Sequence, residues 1–126
     1  MRTTLALLAA LVLAGCDLGG GDTLRLTYEV NATGAHGPVS LTYDTADGPI
    51  TLDDAPMPFD EAIQINDPRT GSVYLVNAET TCTGPCTLST AVEGALGNTP
   101  YSAEDEVVYP ADTTRTIASS ASIIYR

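Results

Sequence analysis

The chain contains no lysine and no tryptophan, and among its 126 residues it has five arginines, one histidine and one phenylalanine. Its 16 aspartates and glutamates outnumber the arginines and give a formal net charge of −11 at pH 7. A protein this acidic is repelled by phosphate backbones, so the composition argues against nucleic-acid binding. The absence of lysine also excludes catalysis through a lysine Schiff base.

The single histidine offers little material for acid–base catalysis, in which an activated nucleophile needs an adjacent base. His36 lies in the turn-like segment Gly34–Pro38, where a solvated loop side chain is expected. The acidic pairs Asp53–Asp54 and Asp60–Glu61 occupy adjacent positions, and adjacent side chains on a strand point to opposite faces. We therefore expect a protein that is not an enzyme and that needs no cofactor.

Long hydrophobic runs are also scarce, and the longest stands at the start of the chain. Leu5–Ala14 covers about ten residues, whereas a membrane-spanning helix needs about 20. An apolar run of this length after a basic residue, here Arg2, is typical of a signal peptide.

The apolar run ends in Leu13-Ala14-Gly15-Cys16, which resembles the lipobox of bacterial lipoproteins. In those proteins the cysteine receives a diacylglyceryl group and becomes the first residue after cleavage. The resemblance implies a lipoprotein signal peptide at 1–15, a lipidated tether at 16–22 and a domain at 23–126. It implies a protein of the bacterial cell envelope, held to a membrane through Cys16 on the periplasmic or extracellular side. The alternative is a soluble secreted protein in which Cys16 is incidental.

Two cysteines remain once Cys16 is assigned to the lipid, namely Cys82 and Cys86 in the segment "TTCTGPCTL". An exported protein meets an oxidising environment, so a disulfide between them is expected. Gly84-Pro85 is a strong turn dipeptide, and the bond is predicted to pin a turn there. A metal site needs further ligands, and the spacing is not the C-x-x-C of redox motifs.

Apolar and polar residues alternate along most of the remaining chain, which is the pattern of half-buried strands. In Thr23–Asn31, for example, Leu24, Leu26, Tyr28 and Val30 share one face. Turn signals recur about every ten residues and no segment has a helical period, so we predict an all-β fold, an immunoglobulin-like antiparallel β-sandwich of about seven strands. The predicted strands lie at 23–31, 39–44, 50–52, 63–65, 72–78, 87–93 and 113–125.

Two further segments carry predictions. Ser72–Ala78 is the most continuously apolar segment and is predicted to be the most buried strand. Gly94–Pro110 is the least regular and is predicted to be a loop. Its Tyr101 and Tyr109 are the aromatic residues predicted to contact a protein partner, because interfaces favour such anchors. Phe59 is instead expected to plug one end of the sandwich.

Two segments together resemble a known family. The first segment, Leu26–Phe59, has a Tyr-Glu-Val strand, a glycine-rich turn, a second strand ending in tyrosine and a Pro-Phe step. The second segment, Pro85–Ala95, has a cysteine-containing strand that runs into Val-Glu-Gly. Over about residues 24–94 the chain is similar to the mycobacterial membrane protein small (MmpS) transport accessory family. The matching residues are Tyr28, Glu29, Val30, Gly34, Gly37, Tyr43, Pro58, Phe59, Cys86, Leu88, Val92, Glu93 and Gly94.

The resemblance implies a β-sandwich that acts as an accessory to a membrane transporter, because family members work beside large exporters of lipids and siderophores. The chain departs from the family pattern in three places. Members have a transmembrane helix where this chain has the lipobox-like segment, and Phe59 replaces their tryptophan. Their first cysteine is matched by one near the carboxyl terminus, where this chain has Ile124 and Tyr125.

A binding module displayed on the membrane is the alternative function. Asp44, Asp47, Asp53 and Asp54 lie near a glycine turn, and loop carboxylates suit calcium. Their spacing matches part of an EF-hand loop without its closing glutamate, so these residues are calcium candidates rather than a predicted metal site. The alternative is therefore a module whose binding depends on calcium or on a glycan.

Overall fold

The structure is a computed structural model and describes residues 22–126. The predicted signal peptide, Cys16 and residues 17–21 of the tether lie outside the described residues. Residues 22–126 form strands and no helix, so this part of the chain has no helix that could cross a membrane. The strands are β1 (Thr23–Thr45), β2 (Gly48–Leu52), β3 (Phe59–Asn66), β4 (Val73–Leu96), β5 (Thr99–Tyr109) and β6 (Arg115–Ile124).

The strands form a six-stranded sheet in which every pairing is antiparallel, and this confirms the predicted all-β antiparallel fold. Two long strands, β1 and β4, run side by side and are shared by two halves of the sheet. In one half, β3 flanks the first part of β1 and β5 flanks the last part of β4. In the other half, β2 flanks the last part of β1 and β6 flanks the first part of β4.

The two halves meet where the pairing of β1 with β4 changes register. Gly34 is paired with Cys86, His36 with Cys82 and Val39 with Thr80, so each strand contains extra residues at this point. The net slip of one residue reverses which side of β1 faces inward: even-numbered side chains are buried before the slip, and odd-numbered ones after it. The irregularity therefore keeps the apolar side of both segments in the core.

Gly34 is required at this crossing for two reasons. Its φ of 88° lies in the left-handed region, which glycine adopts without steric cost. A Cβ at this position would also collide with the carbonyl oxygen of Pro85 on the opposite strand. The backbones of β1 and β4 can approach each other here because Gly34 has no side chain to stand between them.

Buried side chains connect the two halves across the interior. Thr90 in the β5 half and Ser119 in the β6 half are each 2% exposed, and their hydroxyl oxygens are 2.9 Å apart. The hydroxyl of Ser119 also donates to the Asp105 carboxylate at 2.7 Å. These contacts join the two halves across the interior, which is consistent with the predicted sandwich, while the sandwich and its immunoglobulin-like form stay predictions.

Three predictions about individual segments are corrected by the structure. The predicted strands at 23–31 and 39–44 are parts of one long strand, β1, as are 72–78 and 87–93 in β4. Gly94–Pro110 is not a loop, because it contains the end of β4, a tight connection and the whole of β5. The described residues thus form six strands rather than about seven. Glycine and proline mark bends in continuous strands here, and sequence alone reads such residues as turns.

Candidate functional site

The described domain has two ends that differ in their chemistry. The bend end contains the register change at Gly34–Val39 and the cysteine segment Cys82–Cys86. We name the opposite end the tether end, because the chain enters the described domain there at Asp22. At the tether end the carbonyl of Asp22 accepts a hydrogen bond from the amide of Asp67, at 2.8 Å.

The carboxyl terminus also lies at the tether end. The amide of Gly71 donates to the carbonyl of Tyr125, and the amide of Tyr125 donates to the carbonyl of Ser72, at 2.7 and 2.9 Å. The ring of Tyr125 packs against Tyr101, near the β4–β5 connection, with 6.0 Å between ring centroids. The entry point of the domain, the β3–β4 loop and the carboxyl terminus are therefore held together by these contacts.

A disulfide joins Cys82 to Cys86 at the bend end, as the sequence predicts. The two Cα atoms are 5.8 Å apart, whereas four residues of extended strand would span about 13 Å. The chain therefore loops out between them. Both cysteines are buried, at 0% and 4% exposure, so the bond lies in the core of the bend.

His36 lies opposite Cys82 in this bend. Its Nδ1 donates to the carbonyl oxygen of Gly37 at 2.7 Å, so this side chain stabilises the local backbone. Among residues 22–126 no group of three or more histidine, cysteine or acidic side chains could hold a metal ion. The sulfur of Cys82, the residue opposite His36, is held in the disulfide.

The aspartates considered for calcium lie on or beside the hairpin formed by β1 and β2. One carboxylate oxygen of Asp44 accepts a hydrogen bond from the amide of Leu75, at 2.9 Å. Asp47 lies in the β1–β2 connection, where its amide donates to the Thr45 hydroxyl. Asp53 and Asp54 are exposed and follow β2. The four aspartates thus form no metal cluster in the described part of the chain.

A concave surface with a volume of about 1030 Å³ lies over the half of the sheet that contains β3 and β5. Across this surface Glu29 is opposite Asp60 on one side and Ala91 on the other, and Ala91 is opposite Glu104. Several carboxylates therefore share one region of sheet, where like charges repel. The lining residues are Glu29, Val30, Asn31, Pro58, Phe59, Asp60, Ser89, Thr90, Ala91, Glu104, Asp105 and Glu106.

Phe59 lies at the edge of this concavity and is half-buried. Its ring contacts Tyr43 at a centroid distance of 5.6 Å, and Tyr43 in turn contacts Tyr28 at 5.5 Å. Phe59 therefore extends the aromatic core toward the concavity, while its predicted place at one end of a sandwich stays a prediction.

Tyr28 is fully buried, and no described residue forms a hydrogen bond with its hydroxyl group. Burial raises the pKa of this phenol far above its ordinary value of 10.0, and the nearby Asp44 and Tyr74 raise it further. The group thus stays protonated at any physiological pH. An unpaired buried hydroxyl costs free energy, since it has lost its hydrogen bonds to water.

Arg25 is a second polar group without a partner. It lies in β1 near the tether end, opposite Ala95, and its three guanidinium nitrogens are buried with no hydrogen bond to any described residue. Burial of these nitrogens without hydrogen bonds opposes folding, because they have lost their bonds to water.

The two tyrosines predicted to contact a partner differ in accessibility. Tyr109 is 9% exposed, and its hydroxyl group is hydrogen-bonded to that of Thr113, so its ring belongs to the core and is not available at the surface. Tyr101 is half-buried against Tyr125. Because Tyr101 and Tyr109 are eight residues apart in β5, they share the inward face of this strand, whereas an irregular loop would expose both rings. Tyr101 lies near the start of β5 and keeps partial exposure.

The exposed apolar residues of β4 were missed by sequence reasoning. Ser72–Ala78 was predicted to be the most buried strand, but the structure buries Tyr74, Val76 and Ala78 and leaves Val73 and Leu75 52% and 38% exposed. On β6, Ile124 is directly opposite Val73 and is 46% exposed. The available signal was a run of consecutive apolar residues, which puts apolar side chains on both faces of the strand. Such a run indicates either burial on both sides or an exposed apolar surface.

Comparisons with known proteins add no relative. No protein-family model matches the chain, and no curated protein matches it.

Proposed function

We propose that the chain is a lipid-anchored, non-enzymatic protein of the bacterial cell envelope, with a β-domain that serves as an accessory to a membrane transport complex. The observation that carries this proposal is the lipobox-like segment that ends at Cys16. Five residues, 17–21, separate this cysteine from Asp22, where the described domain begins. They span at most about 20 Å. The domain would therefore lie next to the membrane, within reach of a membrane-embedded partner.

A non-enzymatic role is supported by the chemistry of the side chains. The chain has no lysine, and the Nδ1 of His36 is committed to a backbone carbonyl. The buried disulfide fits an oxidising compartment outside the cytoplasm. Accessory proteins act through surfaces rather than through reactive groups, which is compatible with this inventory.

The transport role comes from the resemblance to the MmpS family. The aromatic residues that carry part of that resemblance, Tyr28, Tyr43 and Phe59, form one continuous aromatic contact in the structure. The shared residues are therefore packing residues, which supports a similar domain more strongly than a similar partner.

The experiment that tests membrane anchoring replaces Cys16 with serine and follows the protein in fractionated cells. We expect the wild-type protein in the membrane fraction after a high-salt wash and the Cys16→Ser variant in the soluble or secreted fraction. A Cys82→Ser, Cys86→Ser double variant is the control, since it also removes cysteines but should remain with the membrane. A Cys16→Ser protein that stays with washed membranes would contradict the proposal.

Crosslinking in intact cells tests the accessory role. A photoreactive residue in place of the half-buried Tyr101 should capture a membrane transporter, because that position remains partly accessible. The same probe in place of Ile50, an exposed residue of β2 with no role in the proposal, is the control. Capture of no envelope protein from either position would count against an accessory role.

A binding module is the second candidate, and the concave surface beside Phe59 favours it. The carboxylates on this surface could accept hydrogen bonds from the hydroxyl groups of a glycan, and Asn31 and Ser89 could both accept and donate them. If this function is correct, Glu104→Gln should weaken retention on immobilised cell-wall oligosaccharides, whereas Glu79→Gln, an exposed change outside this surface, should not. Equal retention of both variants would reject this surface as the glycan site.

A further inference from the structure

The large exposed apolar side chains of the described domain are concentrated at one place. There are five such residues among 22–126, and three of them, Val73, Leu75 and Ile124, lie on neighbouring positions of β4 and β6. Single exposed apolar residues are ordinary, but a contiguous group on an otherwise acidic protein indicates a contact surface.

This apolar group adjoins the tether end. Val73 and Ile124 are paired directly after the hydrogen bond between the Tyr125 amide and the Ser72 carbonyl. The β3–β4 loop then leads back to Asp67, whose amide is bonded to Asp22. The place where the chain would connect to the lipidated cysteine is thus joined, through one short loop, to the exposed apolar pair.

We propose that Val73 and Ile124 rest on the lipid bilayer and orient the domain, with the tether end toward the membrane and the bend end away from it. The inference rests on the proposed lipid anchor, because a tether with a reach of about 20 Å holds this end near the membrane surface. Contact with acyl chains would remove both apolar side chains from water, which is favourable in proportion to the buried apolar area.

The contact is apolar rather than electrostatic. Arg69 in the β3–β4 loop and Arg126 lie at the tether end, but Asp22 and Asp67 lie there too, so this end has no basic excess. The carboxylate of Asp44 binds the amide of Leu75 and places charge beside it. Leu75 therefore lies at the rim of the contact, and Val73 and Ile124 form its centre. We expect little dependence on salt, in contrast to a polybasic membrane contact.

The test uses the full-length lipidated protein in phosphatidylethanolamine–phosphatidylglycerol vesicles and an environment-sensitive fluorophore at one of two positions. One sample carries Val73→Cys and the other Val108→Cys, each labelled on the new thiol. Val108 is a matched control, because it is also an exposed valine on a strand, at 61%. It lies nine residues along β5 from Thr99, or about 30 Å toward the bend end.

Quenching by lipids with brominated or nitroxide-bearing acyl chains measures the contact. We expect at least a several-fold stronger quenching at position 73 than at position 108, unchanged by high salt. Equal quenching at the two positions, or none at either, would overturn the proposed orientation. Quenching at position 73 that depends on the protein-to-lipid ratio would assign the surface to a second copy of the chain and would also overturn it.

The outcomes separate this inference from the proposed anchor. If the purified protein does not associate with vesicles at all, the anchor itself is wrong. If it associates and position 73 remains unquenched, the anchor stands and the bilayer contact is rejected. Thermal unfolding of both labelled variants confirms beforehand that neither substitution disrupts the domain.

Discussion

Tyr28 lies at the centre of the core, yet its hydroxyl group reduces stability. Its ring fills the interior and contacts Tyr43, while its hydroxyl group has no partner among the described residues. The alternating pattern of Thr23–Asn31 predicted the inward position of this side chain correctly. The pattern could not predict whether the hydroxyl finds a partner, since that depends on atoms from distant strands.

We predict that Tyr28→Phe leaves the free energy of unfolding unchanged or raises it by about 1 kcal/mol, because the change removes a buried unpaired hydroxyl and keeps the ring. Tyr109→Phe is the control and should cost about 1 kcal/mol, since the Tyr109 hydroxyl is bonded to Thr113. Urea denaturation measures both values. A loss in Tyr28→Phe as large as that in the control would show that the Tyr28 hydroxyl has a partner.

The same residue gives a pH dependence. The pKa of folded Tyr28 lies far above the ordinary value of 10.0 that applies in the unfolded chain. Above pH 10 the unfolded state loses this proton while the folded state keeps it, so stability is complete below that pH and falls as the pH rises. Tyr28→Phe should reduce this alkaline loss. Identical pH profiles for both proteins between pH 9 and 11 would contradict the raised pKa of Tyr28.

Gly94 allows β4 to lie against the backbone of β1. A Cβ there would collide with the carbonyl of Arg25, whereas a Cβ on Gly37 would meet its nearest atom, the Thr81 oxygen, at an ordinary 3.7 Å. We predict that Gly94→Ala lowers the free energy of unfolding by about 1–3 kcal/mol through overpacking. Gly37→Ala should change it by less than about 1 kcal/mol. Thermal unfolding of the two variants checks this, and equal stability would contradict the close approach.

At the scale of elements, the bend in β1 and β4 is the feature that sequence reasoning did not find. The segments "GAHGP" and "CTGPC" contain the residues that end strands, and both were predicted to be turns. The structure continues both strands through them, because the two irregular segments face each other and compensate in register to within one residue. Such compensation between residues about 50 positions apart depends on tertiary contact, which no local pattern reveals.

The disulfide is expected to support this bend without determining it. A loop this short gives a chain-entropy stabilisation of about 2 kcal/mol. We predict that the Cys82→Ala, Cys86→Ala double variant still folds and is less stable by about that amount, because β1 holds both segments of β4 in register. Urea denaturation and amide exchange measure the effect. Loss of cooperative unfolding in the double variant would show that the bond determines the bend.

At the scale of the whole molecule, composition and alternation were enough to predict an acidic, antiparallel all-β domain. The meeting of the chain entry, the β3–β4 loop and the carboxyl terminus at one end was not predictable, because it arises from the order of strands in the sheet. Because of this arrangement, the residues next to the proposed anchor and the exposed apolar pair Val73 and Ile124 lie at the same end of the domain.

The central claim is that Cys16 is the lipidated first residue of the mature protein. Mass spectrometry of the amino-terminal peptide, from protein extracted from native membranes, tests it most directly. The account predicts a peptide that begins at Cys16 and carries the mass of a diacylglyceryl group on its sulfur, with or without a further acyl chain on its amine. A mature chain that begins at another residue, or an unmodified Cys16 in membrane-derived protein, would contradict it.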